Sequence, residues 1–198
     1  MPIKIKHIWK SYGEQRVLAD FSLTVEDGEK ICLMGASGIG KTTILSILAG
    51  LVKPDFGEIE GMEGKKLSMV FQEDRLLEWA DAFENVALIL ERKKSGMLRE
   101  FLRGEFEAVG LHDYEEKPVS QLSGGMKRRV AIVRAVCAEG DLLLLDEPFK
   151  GLDDGTKEQV AAYLKSRFAG RTLVMVTHDA RDAKLLGARI VMCGEKKS

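Results

Sequence analysis

The chain of 198 residues has only three cysteines, Cys32, Cys137 and Cys193. They lie far apart, are odd in number and show no paired metal spacing. A disulfide framework and a thiolate metal centre are therefore excluded, and the three read as small core residues in a reducing compartment. An excess of either charge is also missing: 30 Lys and Arg stand against 31 Asp and Glu, for a formal net charge of -1. No global basic surplus points to DNA or RNA, so no nucleic-acid partner is expected. The densest basic run, Lys127-Arg128-Arg129, reads as the solvated face of a helix. Nothing approaches the ~20 consecutive apolar residues that span a bilayer. The first residues, Met1-Pro2-Ile3-Lys4-Ile5-Lys6, alternate in polarity and carry no apolar stretch of a secretion signal. The expected place is the cytosol, with any membrane part of the system supplied by another chain.

What is present is an ordinary globular composition, 45% hydrophobic and 31% charged, in a length that suits one α/β core. Ile3, Ile5 and His7 alternate with Lys4 and Lys6, and Phe21, Leu23 and Val25 with Ser22 and Thr24. Both patterns predict half-exposed strands. After Asp27-Gly28, the run Lys30 to Met34 suits a buried strand, and Lys41 to Ala49 a helix closed by Gly50. Leu67 to Phe71 is a further strand. From Gln72 to about Ala138 the periodicity is helical, with Phe83, Val86, Ala87 and Leu90 on one stripe and a second stretch, Met97 to Val109, interrupted at Gly104. Strands follow at Leu142 to Leu145, Thr172 to Val176 and Arg189 to Met192, with a helix over Thr156 to Phe168 between the first two. This order predicts one α/β domain over 1–198: a mostly parallel sheet, an N-terminal antiparallel β part and a helical subdomain inserted at about 73–138. Neither repeats nor low-complexity segments occur.

Three segments carry chemistry. Gly35-Ala36-Ser37-Gly38-Ile39-Gly40-Lys41-Thr42 fits G-x-x-x-x-G-K-[ST] between a strand and a helix, the context of a phosphate loop. Its glycines let backbone N–H groups converge on phosphate oxygens, Lys41 adds a full charge at a helix N-terminus, and Thr42, followed by Thr43, offers a hydroxyl to Mg²⁺. The second segment, Leu142 to Leu145 followed by Asp146-Glu147-Pro148, ends an apolar strand in two carboxylates. Beside a phosphate loop, Asp146 suits Mg²⁺ and Glu147 suits the attacking water; standing alone, such a pair would be an acidic turn. The third, Leu122-Ser123-Gly124-Gly125-Met126, precedes a helical run. It reads as a serine N-cap and also as a second bare helix N-terminus presented to an anion.

The phosphate loop, Gln72 after its strand, Leu122–Gly125, the block ending in Asp146-Glu147, Gly151-Leu152-Asp153 and His178 together resemble the ordered motif set of ATP-binding-cassette ATPases. The match runs from Tyr12 to His178. The phosphate loop is shared by many nucleotide-binding families, whereas Ser-Gly-Gly at this place is specific to this one. The resemblance implies a P-loop NTPase fold, ATP and Mg²⁺ as cofactors, and a head-to-tail homodimer or pseudo-dimer with two nucleotides at its interface. Ser123, Gly124 and Gly125 of one copy would meet the γ-phosphate held by Lys41 of the other. Gln72 would sense the γ-phosphate and Mg²⁺, His178 would contact the γ-phosphate and position the water, and Asp153 would cross the dimer seam. Tyr12 lies where the family places an aromatic ring on adenine, and equally suits an exposed strand end. His178 alone would read as a polar cap after a buried strand. Met126 stands where glutamine is usual, and Lys150-Gly151 replaces the usual small polar pair. The 20 residues after His178 leave no room for the C-terminal regulatory domain of some relatives.

Transporter subunit, soluble cassette ATPase and non-hydrolytic assembly module are the competing functions. Repair members resemble half-cassettes on long coiled coils, and translation members carry two cassettes, so the length favours transport. Glu147 and His178 argue against mere binding. A small-molecule kinase is disfavoured by Ser123-Gly124-Gly125. Phe71 to Trp79 is similar to the importers of nitrate, sulfonate and taurine, with lipoprotein-release and cell-division cassettes as the alternative. The resemblance thus implies a separate permease chain, a solute-binding protein in the same system, and a position on the inner face of the cell membrane. The stretch from Arg75 through Leu76, Leu77 and Trp79 to Phe83 would dock that permease, although Phe83, on an apolar stripe, equally suits the core.

Overall fold

A computed structural model describes residues 1–90 and 96–194. The part of the expected helical stretch at 91–95 lies outside the described residues. The chain opens with two long strands, β1 (Ile3–Tyr12) and β2 (Gln15–Val25), joined at Gly13 with φ 58°. Both are longer than polarity alternation suggested, because bulges between Ile5 and Ser11 break the period-two pattern while pairing continues. Strand β3 (Lys30–Met34) leads through the glycine-rich loop into helix α1 (Lys41–Leu48), which stops at Ala49 before Gly50. Strand β4 (Phe56–Glu60) returns to β1 and completes an antiparallel sheet of order β2-β1-β4. It was not foreseen: a short, exposed edge strand with a glycine and two glutamates carries no apolar pattern, and Lys6 ties it down through Glu58 and Glu60.

After β5 (Leu67–Val70) the helices α2 (Ala82–Ala87), α3 (Gly96–Ala108) and α4 (Gly124–Cys137) follow, with a 3-10 turn at Val119–Gln121. Strand β5 ends one residue before Phe71. Gly104 does not interrupt α3; nothing lies within 4 Å of where its Cβ would be, and one glycine in an exposed helix position costs only ~1 kcal/mol. The remaining elements are β6 (Leu142–Asp146), α5 (Asp154–Arg167), β7 (Thr172–Val176), α6 (Ala180–Leu186) and β8 (Arg189–Met192). Helix α6 is the second element the sequence reading missed. It is short, capped by the Asp179 carboxylate on the Arg181 N–H and closed by Gly187 in the left-handed region.

The second sheet is parallel, with order β5-β6-β7-β3-β8. Its central strands are buried on both faces, and their alternate side chains divide the core. Leu143 and Leu145 join Cys32 and Met175 in a cluster with α3, α4 and α5, whereas Leu142 and Leu144 join Ile31, Leu33, Val174 and the α1 residues Ile44 and Leu45 against the antiparallel sheet. All three cysteines are buried and free. This sandwich fixes the carboxyl edge of the sheet, where the ends of β3, β5, β6 and β7 lie side by side. No helix among the described residues is long and apolar enough to cross a membrane.

Candidate active site

The loop from Gly35 to Gly40 passes from the carboxyl end of β3 into α1 in a conformation that glycine makes possible. Gly35 has φ 149° and Gly40 φ 101°. A Cβ at Gly40 would lie 2.6 Å from Leu18 Cδ2, and one at Gly35 would lie 2.9 Å from the Cys193 carbonyl oxygen. Both positions therefore exclude a side chain by space as well as by φ. Lys41, at the first turn of α1, is buried, and its Nζ donates to the carbonyls of Gly35 and Ala36, each at 2.8 Å. The ammonium is thus held inside the curve of the loop. The first-turn N–H groups of α1 have no side-chain cap, which leaves them for an anion.

A cleft of about 370 Å³ opens over this loop, lined by Ser37, Gly38, Gly40, Lys41, Thr42, Thr43, Gln72, Asp146, Glu147 and His178, with Gln15, Val17 and Val176 completing the wall. Four segments far apart in sequence, those after β3, β5, β6 and β7, meet there because the parallel sheet delivers their strand ends to one edge. Asp146 is 2% exposed. Burial raises its pKa above the ordinary 3.8, opposed by the Thr42 hydroxyl bonded to it and by the charges of Arg128, Lys41 and His178. Glu147 follows at φ 51°, a left-handed conformation costing about 1–3 kcal/mol for a non-glycine residue. Its N–H donates to the Val176 carbonyl at 2.9 Å, which pins the turn to β7. Burial also raises the Glu147 pKa above 4.5, with His178 pulling it down and Asp146 pushing it up. His178 Nε2 approaches Glu147 Oε1 to 3.1 Å without hydrogen-bond alignment, so this buried oxygen has no hydrogen-bond partner.

Other expected residues lie elsewhere. Ser123 caps α4, its Oγ accepting from the Met126 N–H at 3.3 Å, and neither it nor the two glycines line the cleft. Gly124 faces open space, whereas a Cβ on Gly125 would press within 3.2 Å of the Gly151 carbonyl and Leu152. Close packing therefore favours glycine at Gly125 but places no such demand on Gly124. Asp153 caps α5 through the Thr156 N–H and hydroxyl, which hold its carboxyl below the usual range. Tyr12 is half exposed at the end of β1, outside the cleft, with Lys10 Nζ 5.6 Å from its ring centre. A second cavity of about 530 Å³, lined by Lys150, Gly151 and Leu152 among others, shares Glu147 and His178 with the cleft. These two side chains thus stand on a wall common to both.

A family model described as ABC transporter matches residues 18–150. The chain belongs to the ABC transporter family. It is an ATP-binding cassette ATPase of that family. It is 39% identical to the bicarbonate transport ATP-binding protein CmpD of Synechococcus elongatus, over 91% of this chain and 69% of that protein. With the taurine import ATP-binding protein TauB of Pseudomonas aeruginosa it shares 38% identity, over 91% of this chain and 73% of the other. The ATP-binding cassette MJ0796, solved as a dimer in a post-hydrolysis state with ADP and Pi, superposes with a TM-score of 0.86 and 32% identity, covering 96% of this chain and 93% of that one.

In the cassette, the basic run Lys127-Arg128-Arg129 departs from the solvated face the sequence suggested. Only Lys127 reaches outward, to Glu78 at 3.0 Å. Arg129 donates to the carbonyls of Gly125, Val109 and Gly110. Arg128 is 3% exposed and donates to the carbonyls of Phe71, Asp146, Glu147 and Pro148 and to the Asp74 carboxylate. Three consecutive basic residues cannot share one face of a helix; that spacing was the available signal. For the cassette's phosphate loop, Lys41→Ala is expected to weaken ATP binding roughly 10- to 150-fold, from a charge-assisted bond of about 1.5–3 kcal/mol. Calorimetric titration checks this, and unchanged affinity would place the phosphates elsewhere.

Proposed function

We propose that this chain energises a membrane importer of small anions by hydrolysing Mg-ATP in a head-to-tail dimer of two copies. The observation that carries the hydrolytic part is Glu147 Oε1, a buried carboxylate oxygen without a hydrogen-bond donor, on the wall of a cleft that also holds Lys41 and His178. Leaving such an acceptor unpaired costs about 1–3 kcal/mol, and a water bound there would satisfy it. In this reading Lys41 and the loop N–H groups of Gly35 to Thr43 bind the phosphates. Glu147 orients a water and takes its proton, and His178, with Nε2 3.1 Å from Glu147 Oε1, would contact the γ-phosphate and help position that water. Gln72 lies on the same wall, where it would contact the γ-phosphate.

For Mg²⁺ the fit is good. Thr42, Gln72 and Asp146 are oxygen donors lining one cleft, and the Thr42 hydroxyl is among the groups that hold down the Asp146 pKa. One or two such oxygens together with phosphates and water suit this hard cation, and once bound it would neutralise phosphate charge. Tyr12 would lie on the adenine side. Ser123, Gly124, Gly125 and Asp153 would complete the site of the second copy. What supports this is the free space at Gly124, the separation of Ser123 from the cleft and the dimeric state of MJ0796. Small-anion import rests on the likeness to CmpD and TauB, which are named for bicarbonate transport and taurine import. A permease chain would anchor the protein peripherally at the membrane, with a solute-binding protein in the same system.

Glu147→Gln is expected to lower turnover by about 10²–10⁴ while ATP still binds. The wild-type rate falls as pH drops through the raised pKa of Glu147, so its acid limb lies above pH 4.5, and that limb disappears in the residual activity of the variant. Steady-state rates across pH read this out, and normal hydrolysis by the variant would remove Glu147 from the chemistry.

The permease would dock beside Gln72. Trp79 is 79% exposed, whereas Phe83 is 3% exposed and belongs to the core, so Phe83 leaves the docking set. Arg75, Leu76 and Leu77 remain in it, with Leu77 fixed by the Asn85 amide. An exposed tryptophan is a strong interface anchor. Trp79→Ala is expected to reduce recovery of the cognate permease on co-purification, with an unchanged circular dichroism spectrum. Full recovery would defeat the assignment.

A further inference from the structure

Two arginines of α4 bind the segment after β5 to the segment after β6. Arg134 donates to the carbonyls of Asp74 and Arg75 at 2.7 and 2.8 Å. Arg128 bridges further: Nη1 donates to the Phe71 carbonyl at 2.5 Å and to Asp74 Oδ1 at 2.9 Å. Its other nitrogens reach the backbone around the two carboxylates: Nη2 donates to the carbonyls of Asp146 and Glu147, the latter at 2.8 Å, and Nε to the Pro148 carbonyl at 3.3 Å. One planar guanidinium therefore holds both neighbours of the turn at Glu147, the residue just before Gln72, and an acid two residues beyond it. The Glu147 turn is the left-handed one, a conformation that persists only when its surroundings fix it.

We infer that Arg128 is a positioning residue for hydrolysis: it locks the Gln72 segment to the peptide groups of Asp146 and Glu147, so that the water-orienting carboxylate and the γ-phosphate contact keep one relative geometry. Arg128 touches no reacting group and does not line the cleft. Its effect belongs to turnover rather than to ATP binding, which rests on the loop and Lys41 at the end of a different strand. The geometry also gives the direction of influence. A displacement of residues 71–75 is passed by the guanidinium to the backbone of 146–148, because the five acceptors share one rigid donor plane. This inference rests on the roles proposed for Glu147 and Gln72.

The test compares Arg128→Lys and Asp74→Asn in the full chain. Lysine keeps the charge but offers a single nitrogen, which cannot span acceptors on both segments. Arg128→Lys is expected to lower kcat about 10- to 100-fold, the scale of a misplaced catalytic group, with KM for ATP and calorimetric ATP affinity within about twofold of wild type on that same argument. Asp74→Asn keeps an acceptor but removes the charge and should shift kcat in the same direction by a smaller factor, again without a change in KM. A residue that merely stabilised the fold would lower the melting temperature and leave kcat of the folded protein unchanged. Glu105→Gln, which weakens the buried contacts with Tyr163 and Arg167, provides that comparison. A folded Arg128→Lys protein with wild-type kcat, or one whose affinity falls as much as its kcat, overturns the inference. Should Arg128→Lys not fold, an unchanged kcat in Asp74→Asn overturns it equally. Normal hydrolysis by Glu147→Gln would instead overturn the underlying reading, so the two failures are distinguishable.

Discussion

A carboxylate buried at the end of an apolar strand is the constraint around which the cassette is organised. Asp146 closes β6, whose five residues are all buried, and an ionised carboxylate there is tenable only with hydrogen bonds and positive charge close by. The fold supplies these from two sides. Thr42 bonds it from the phosphate loop, Lys41 adds charge from the same loop, and Arg128 lies beneath its backbone from α4. The parallel sheet makes this convergence possible by setting the ends of β3, β6 and β7 side by side at one edge. The same convergence leaves an oxygen-lined cleft whose groups are only partly compensated, which is the state a phosphate with its cation would complete.

Helix α4 ties that cleft to its surroundings. Its N-terminus carries Ser123, Gly124 and Gly125, its second turn carries Arg128, and Arg134 follows on the side that meets residues 74 and 75. A single helix thus reaches from the open space at Gly124 to the peptide groups around Asp146 and Glu147 and to the root of the segment that ends at Trp79. Such an element moves as a body rather than bending, and Gly125, where a Cβ would come within 3.2 Å of the Gly151 carbonyl, packs its first turn closely against the loop before Asp153.

Much of this was legible in the residues. The phosphate loop, the acidic strand end and the buried strands are local patterns in which spacing and chemistry coincide, and each lies where it was expected. Strand β4 and helix α6 were not legible, because one is an exposed edge strand with no apolar alternation and the other is held by two caps rather than by periodicity. Nor was Arg128. A basic triplet looks like solvent-facing charge until the third dimension brings four carbonyls around it. The phosphate-loop residues, Gln72, Asp146, Glu147 and His178 meet at one cleft, whereas Ser123 and Asp153 do not line it, a separation that spacing along the chain does not reveal.

In the proposed function the catalytic site is shared between two copies, each contributing the helix end that the other's cleft lacks. Ser123→Arg tests it most directly, because the added bulk would stand at the open N-terminus of α4 and leave the cleft of its own chain untouched. ATP affinity measured by calorimetry should match wild type while hydrolysis is lost. Hydrolysis at the wild-type rate would contradict the shared site and make each chain an ATPase on its own.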